Sequence, residues 1–222
     1  MKTYFIILAT LVTISIPSLC IAAAGRPGPY ISVFMGTSVA RDQNVSGFDS
    51  ANNPFDDRVT FDPGIYVGGT AGYDFGFLRL EGELSYRDAP IDTVTGSSGF
   101  RYRSVDGNLG AFATMFNAFL DLHNASRVTP YVGGGIGVAT LHLSDTTAFD
   151  NSGKLFLYDD SSDTVFASQV GAGMDIAINR RCSLDVGYRY FITDRARLDG
   201  DFITSNFRLE SHNAMVGFKF KF

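Results

Sequence analysis

A chain of 222 residues is enough for one domain. With 45% hydrophobic and 18% charged residues, its composition excludes a disordered or fibrous protein. The formal net charge is −5 and the Lys and Arg residues are scattered, so there is no basic stripe of the kind that binds nucleic acid.

The first element in chain order is not part of the fold. Lys2 supplies a short positive region, residues 4–16 are apolar apart from Thr10, Thr13 and Ser15, and Pro17 ends the run. Ala22-Ala23-Ala24 then offers a small-residue cleavage site. This layout predicts a secretory signal peptide over 1–24 and a mature domain over 25–222. Leu19 stands before Cys20, where lipid attachment asks for a small residue, so cleavage after Ala24 is the reading. Cys182 is then a lone cysteine without an internal disulfide partner. No later apolar run approaches the ~20 residues of a membrane-spanning helix. The mature part is therefore either a soluble periplasmic domain or a barrel built from strands.

Apolar and small or polar residues alternate through eight segments, predicted as strands over 30–40, 63–74, 77–87, 103–121, 128–143, 164–178, 182–193 and 208–222. The connections at 74–76, 121–127 and 179–181 are short, and those at 41–62, 88–102, 144–163 and 194–207 are long and polar. Short turns on one side and long loops on the other are how bacterial barrels are built, with the long loops outside the cell.

In the third strand Leu78, Leu80, Gly82, Leu84 and Tyr86 oppose Arg79, Glu81, Glu83, Ser85 and Arg87. In the seventh, Leu184, Val186, Tyr188, Tyr190 and Ile192 oppose Ser183, Asp185, Gly187, Arg189 and Thr193. In the eighth, Ala214, Val216, Phe218, Phe220 and Phe222 oppose Asn213, Gly217, Lys219 and Lys221. Successive Cβ atoms leave opposite faces of a strand, so each set shares a face. The fourth strand changes apolar parity between Asn108 and Asn117; a bulge is one way to produce this, and the sequence does not decide it.

Alternation does not say which face is wet. Glycines gather on the charged face, at Gly64, Gly68, Gly72, Gly133, Gly135, Gly137, Gly171 and Gly173. An eight-stranded lumen is only just wide enough for side chains, and small residues on one wall leave room for Arg and Glu from the other. A soluble barrel would also leave Phe218, Phe220 and Phe222 as an exposed apolar patch. The expected fold is all-β, an eight-stranded antiparallel up-and-down transmembrane β-barrel.

The segments Leu78-Arg79-Leu80-Glu81-Gly82-Glu83-Leu84-Ser85-Tyr86-Arg87, Pro130-Tyr131-Val132-Gly133-Gly134-Gly135-Ile136-Gly137, Leu184-Asp185-Val186-Gly187-Tyr188-Arg189-Tyr190 and Val216-Gly217-Phe218-Lys219-Phe220-Lys221-Phe222 carry a resemblance. The chain resembles the small outer-membrane β-barrel proteins of the OmpA-transmembrane, OmpX and opacity-protein type. The resemblance implies residence in the outer membrane of a Gram-negative bacterium, among its lipids and lipopolysaccharide. It also implies that Phe218, Phe220 and Phe222 form the signal read by the barrel-assembly machinery. Such proteins usually carry interfacial Trp; this chain has none, so Tyr and Phe must form the aromatic girdles. Nothing resembling a peptidoglycan-binding domain follows the eighth strand.

Three motifs bear on chemistry. Gly133-Gly134-Gly135-Ile136-Gly137 lacks the spacing and the following helix of a dinucleotide loop. His142-Leu143-Ser144 is the one enzyme-like pair and is similar to the lipid A deacylase pattern; a hydrolase would need the His as base and an acid such as Asp145 or Asp150 to orient it. Asp159-Asp160-Ser161-Ser162-Asp163, within the acidic loop from Asp145 to Asp163, lacks the Gly and terminal Glu of a calcium loop and reads as a solvated loop. His212 has no metal-ligand company in sequence.

Charges on the lumen face predict an ionic network of Arg79, Glu81, Glu83, Arg87, Asp175, Asp185 and Arg189. The third and seventh strands face each other across an eight-stranded barrel. Matching heights at ~3.3 Å per residue pairs Arg79 with Asp185 and Glu83 with Arg189, with Glu81 and Asp175 joining and Arg87 above. The functional expectation is a monomeric scaffold whose long loops serve surface interaction or envelope integrity, with an extracellular partner reached through the loops, no cofactor or metal, and neither an enzyme nor an open pore. The alternative is a lipid A-modifying hydrolase using His142 and Ser144.

Overall fold

Period-two alternation over eight segments produces eight long strands in the computed structural model, which describes residues 27–48, 54–96, 101–103, 105–122, 126–144, 146–150, 153–158, 161–199 and 204–222. The expected signal peptide lies outside the described residues. The barrel strands are β1 (Gly28–Ala40), β2 (Gly64–Asp74), β3 (Leu78–Thr95), β4 (Asn108–Asp121), β5 (Val128–Leu143), β6 (Ser161–Ala177), β7 (Cys182–Thr193) and β8 (Glu210–Lys221). Each pairs antiparallel with its sequence neighbours. β1 also pairs with β8, from Tyr30↔Lys221 to Ala40↔Ser211, and closes the ring. Closure removes every edge along the wall, which is what a strand-built protein needs in lipid.

Local chemistry sets the short turns. Gly76 adopts φ 100°, a conformation L side chains rarely take, and its N–H donates to Asp74 Oδ1 at 2.7 Å. At the turn into β7, Asn179 Oδ1 accepts from the N–H groups of Arg181 and Cys182, each at 2.8 Å.

One point the sequence left open is decided, and one expectation is corrected. The fourth strand carries no bulge: its register runs unbroken from Leu78↔Leu120 to Pro90↔Asn108 on one side and from Leu109↔Leu143 to Asp121↔Tyr131 on the other. Its apolar residues change parity because Leu109, Ala111, Ala113 and Met115 face a lumen that has itself become apolar there. Nor are the long connections plain loops. Segments Gln43–Phe48 and Pro54–Phe61 form a hairpin that joins the top of β3, which runs on past Arg87 to Thr95. Arg101–Arg103, at the expected junction of loop and fourth strand, pairs instead with β3, and Val105–Asp106, expected within the fourth strand, pairs with Thr146–Asp150. Thr146–Asp150 pairs with Gly153–Tyr158, and Ala196–Asp199 with Thr204–Phe207, which in turn pairs with Gln43–Phe48. The strand ladder thus continues as ribbons above the barrel rim.

The barrel is inside out. Val33, Met35, Phe116, Ile136, Val170, Val216 and Phe218 are exposed on the outer wall, while Arg79, Glu81, Glu83, Arg87, Arg189 and Lys219 are all buried. Water would reverse both preferences, whereas a hydrocarbon surround explains both.

Candidate functional site

The lumen holds the concentrated chemistry, and the strand period places it there. Residues of β3 at odd positions from Arg79 to Arg87 point inward, as do Asn117 and Phe119 of β4, Tyr131 of β5, Gln169 and Asp175 of β6, Asp185 and Arg189 of β7 and Lys219 of β8.

At the short-turn end the charges pair across the mouth. Lys221 Nζ lies 2.6 Å from Asp74 Oδ2, and Lys219 pairs with Asp175. Arg79 reaches Asp121 Oδ1 and Asp175 Oδ2, each at 3.6 Å, with its guanidinium 4.5 Å from the centre of the Tyr131 ring. The expected pairing of Arg79 with Asp185 is not seen: Asp185 Oδ1 accepts from the Tyr131 hydroxyl at 2.7 Å instead. Strand tilt is the cause, since it brings β4 and β6 carboxylates level with Arg79.

One layer up, Arg189 bridges two carboxylates of β3. Its Nη2 lies 3.3 Å from Glu81 Oε1, and its Nη1 pairs with Glu83. Glu83 also accepts from Asn117 Nδ2 at 2.8 Å, Gln169 Nε2 at 2.9 Å and the Tyr66 hydroxyl at 3.0 Å. The Tyr30 hydroxyl donates to Glu81 Oε2 at 2.5 Å. A carboxylate with several donors around it bears burial that an unpaired one would not. Arg87, 1% exposed, sits above at 3.9 Å from Glu83 Oε1, donates to Ser85 Oγ at 2.9 Å, and lies between the rings of Phe191 and Tyr66.

Beside Arg87 on β4 and above it elsewhere, the filling changes character. Ala89, Leu109, Ala111, Ala113, Met115, Ala139, Leu141, Leu143, Ala167 and Phe191 form one buried apolar cluster with Val45, Val59, Ala196, Phe207 and Leu209 from the outer ribbons and their joints. The lumen is thus ionic below and apolar above.

The glycine wall makes the fit possible. A Cβ on Gly135 would run into the Asn117 amide and the Phe116 carbonyl. A Cβ on Gly82, which faces outward, would meet nothing closer than 3.9 Å. Gly135→Ala is therefore expected to cost about 1–3 kcal/mol of stability through overpacking. Gly82→Ala should be close to neutral; denaturant titrations of the refolded barrel compare the two.

Reasoning from charge alone missed the uncharged partners Tyr30, Tyr66, Tyr131, Asn117 and Gln169, and the lumen aromatics Phe119 and Phe191. Strand parity was the available signal, since all seven share the inward face of their strands. His142 is exposed on the outer wall, while Ser144 Oγ accepts from Asn108 N at 2.8 Å and donates to Asn108 O at 3.3 Å. Asp145, Asp159 and Asp160 lie outside the described residues, and Asp163 Oδ2 accepts from Arg197 N at 2.8 Å. Phe218 is 45% and Phe222 71% exposed on the outer wall, and the Phe220 and Phe222 rings meet edge-on at 5.4 Å.

The chain is 27% identical over 185 residues to the outer membrane protein PagN of Salmonella typhimurium, covering 76% of this chain and 75% of that protein. Among solved structures, the outer membrane protein OprG of Pseudomonas aeruginosa matches with a TM-score of 0.59 at 16% identity, covering 90% of this chain and 98% of that one, a likeness of fold. The sequence pattern of the outer membrane protein β-barrel domain matches residues 6–222, and the chain belongs to that family of Gram-negative outer-membrane proteins.

Proposed function

We propose that this protein is a non-enzymatic, monomeric outer-membrane scaffold whose sealed barrel holds the outer ribbons at the cell surface, for surface interaction or envelope integrity. The observation that carries the reading is the filled lumen, with Glu83, Arg87 and Arg189 buried among their partners and Leu109, Leu141 and Leu143 buried above them. Side chains that fill an eight-stranded lumen leave no room for a water column, so solute transport through the axis is not its work. The network Arg79, Glu81, Glu83, Arg87, Asp175, Asp185 and Arg189 serves in this reading as a structural plug. Planar-bilayer recording of the refolded protein tests it. A flat baseline is expected, and steady large conductance would contradict the scaffold reading.

The same reading assigns Phe218, Phe220 and Phe222 to recognition by the barrel-assembly machinery. Phe222→Ala is expected to lower the amount of assembled protein in cells several-fold while refolding in detergent changes little, because the exposed Phe222 ring makes few stabilising contacts. Quantifying folded protein by its migration in unboiled gels reads both settings. Equal loss in the two would assign the effect to stability alone.

A further inference from the structure

On the outer wall, pairing between β1 and β8 lapses at the rim. Ala40 still faces Ser211, and Arg41 N donates to Glu210 O at 2.8 Å. Above this point the chains pair again from Ser46↔Asn206 to Phe48↔Thr204. Between the two, Gln43 Oε1 accepts from Arg208 N at 3.2 Å, a side chain standing in for the missing ladder bond. The lapse opens a cleft of about 450 Å³ whose lining includes Arg41, Asp42, Gln43, Arg195, Arg208 and Glu210.

The donors of this cleft outnumber its acceptors. Glu210 orients two guanidiniums, with Arg41 Nη1 at 2.9 Å and Arg208 Nε at 3.7 Å, and accepts from the Tyr190 hydroxyl at 3.1 Å. Arg208 Nε also donates to Thr193 O at 3.1 Å. Asp42 is matched by Arg58, just beyond the lining, at 3.5 Å. Arg195 adds a further exposed guanidinium. The side chains of Arg41 and Arg208 remain 61% and 45% exposed, so most of their N–H groups face the cleft or solvent. Three exposed guanidinium forks around one cleft suit an oxyanion with several acceptor oxygens.

Depth narrows the ligand. Directly below the cleft, the Tyr188 hydroxyl meets His212 Nδ1 at 2.5 Å, and the Tyr190 and His212 rings lie 5.2 Å apart. Below these, β8 presents Ala214, Val216 and Phe218 to lipid. The stretch from Phe220 up to His212 rises about 20 Å at barrel tilt, most of the outward apolar band. The Tyr–His cluster therefore marks the upper membrane boundary, and the cleft lies at the depth of the outer-leaflet headgroups. We propose that it binds the phosphate of a phosphorylated glycolipid headgroup in that leaflet. The same chemistry would admit a soluble phosphosugar, which the cleft's depth disfavours.

Binding to the purified full-length protein in detergent tests this, with bisphosphorylated lipid A, the same lipid stripped of phosphate, and soluble glucosamine 1-phosphate as probes. The bisphosphorylated lipid is expected to bind at least about tenfold more tightly than the other two, the scale of one lost charge-assisted contact. Arg41→Gln combined with Arg208→Gln should remove that margin. Arg180→Gln combined with Arg181→Gln, the same charge change at the opposite mouth, should keep it. If the cleft variant does not fold, Arg195→Gln takes its place with the same expectation. Equal binding of the stripped lipid, or equal loss in the two paired variants, would overturn the site. Glucosamine 1-phosphate binding as tightly as the lipid would overturn the glycolipid assignment.

Discussion

Glu83→Ala is expected to destabilise the folded barrel by about 3–5 kcal/mol, the usual cost of leaving a buried charge without its partner. Glu83 pairs with Arg189, lies 3.9 Å from Arg87 and accepts from Tyr66, Asn117 and Gln169. Both arginines are buried, Arg87 to 1% and Arg189 to 3% exposure, so neither gains water when the carboxylate goes. Adding Arg189→Ala should restore part of the loss, since it removes one of the two stranded cations. Full recovery is not expected, because Arg87 stays buried and Glu81 then loses Arg189 at 3.3 Å. A double-mutant cycle from denaturant titrations in lipid vesicles measures the coupling. Strict additivity would mean that Glu83 and Arg189 do not depend on each other.

The next largest effect is expected at the opposite face. Val186→Arg should cost about 2–4 kcal/mol, the range for a cation on the lipid face near the bilayer centre. Val186 is 36% exposed, and its partners across the ladder are Met174 and Val216, with no carboxylate beside it. The neighbouring position Asp185 points inward and is 6% exposed, so one residue along the strand separates lipid from lumen. Ser162→Arg, exposed at the outer end of β6, should be neutral within about 0.5 kcal/mol. The same titrations compare the two, and equal costs would mean that the lipid face is misplaced.

Much of the ladder was legible because period-two alternation is a strong signal where one face is charged. Val128–Leu143 and Cys182–Thr193 have the same bounds in sequence and structure. Legibility failed where the lumen changes from polar to apolar. The inward residues Leu109, Ala111 and Met115 imitate a change of face, so the sequence alone did not decide between a bulge and an apolar lumen. The outer connections looked like polar loops because their inward residues, such as Val45, Val59 and Phe207, are too widely spaced to stand out. Within the lumen, charge sign and approximate height bring Glu83 near Arg189. The same reasoning misplaces Asp185, whose partner is the hydroxyl of Tyr131. Uncharged donors such as Gln169 carry no signal of partnership until strand tilt and register are known. The rim cleft was invisible for a related reason. Arg41, Arg195 and Arg208 are scattered in sequence and converge only where two strands part.

The central claim is that the lumen is closed to water from ionic floor to apolar roof. Thiol accessibility in intact outer membranes measures it most directly. With Cys182 replaced by Ser, single cysteines are placed at Ala113 and Ala139, both 0% exposed in the apolar section, and at Ser46 on the exposed ribbon. A membrane-impermeant thiol reagent added from outside is expected to label Ser46→Cys readily. Ala113→Cys and Ala139→Cys should react at least about a hundredfold more slowly, limited by opening of the packed core. Labelling at the two lumen positions as fast as at the ribbon, in folded protein, would mean that a water path runs through the barrel and would contradict the sealed-scaffold account.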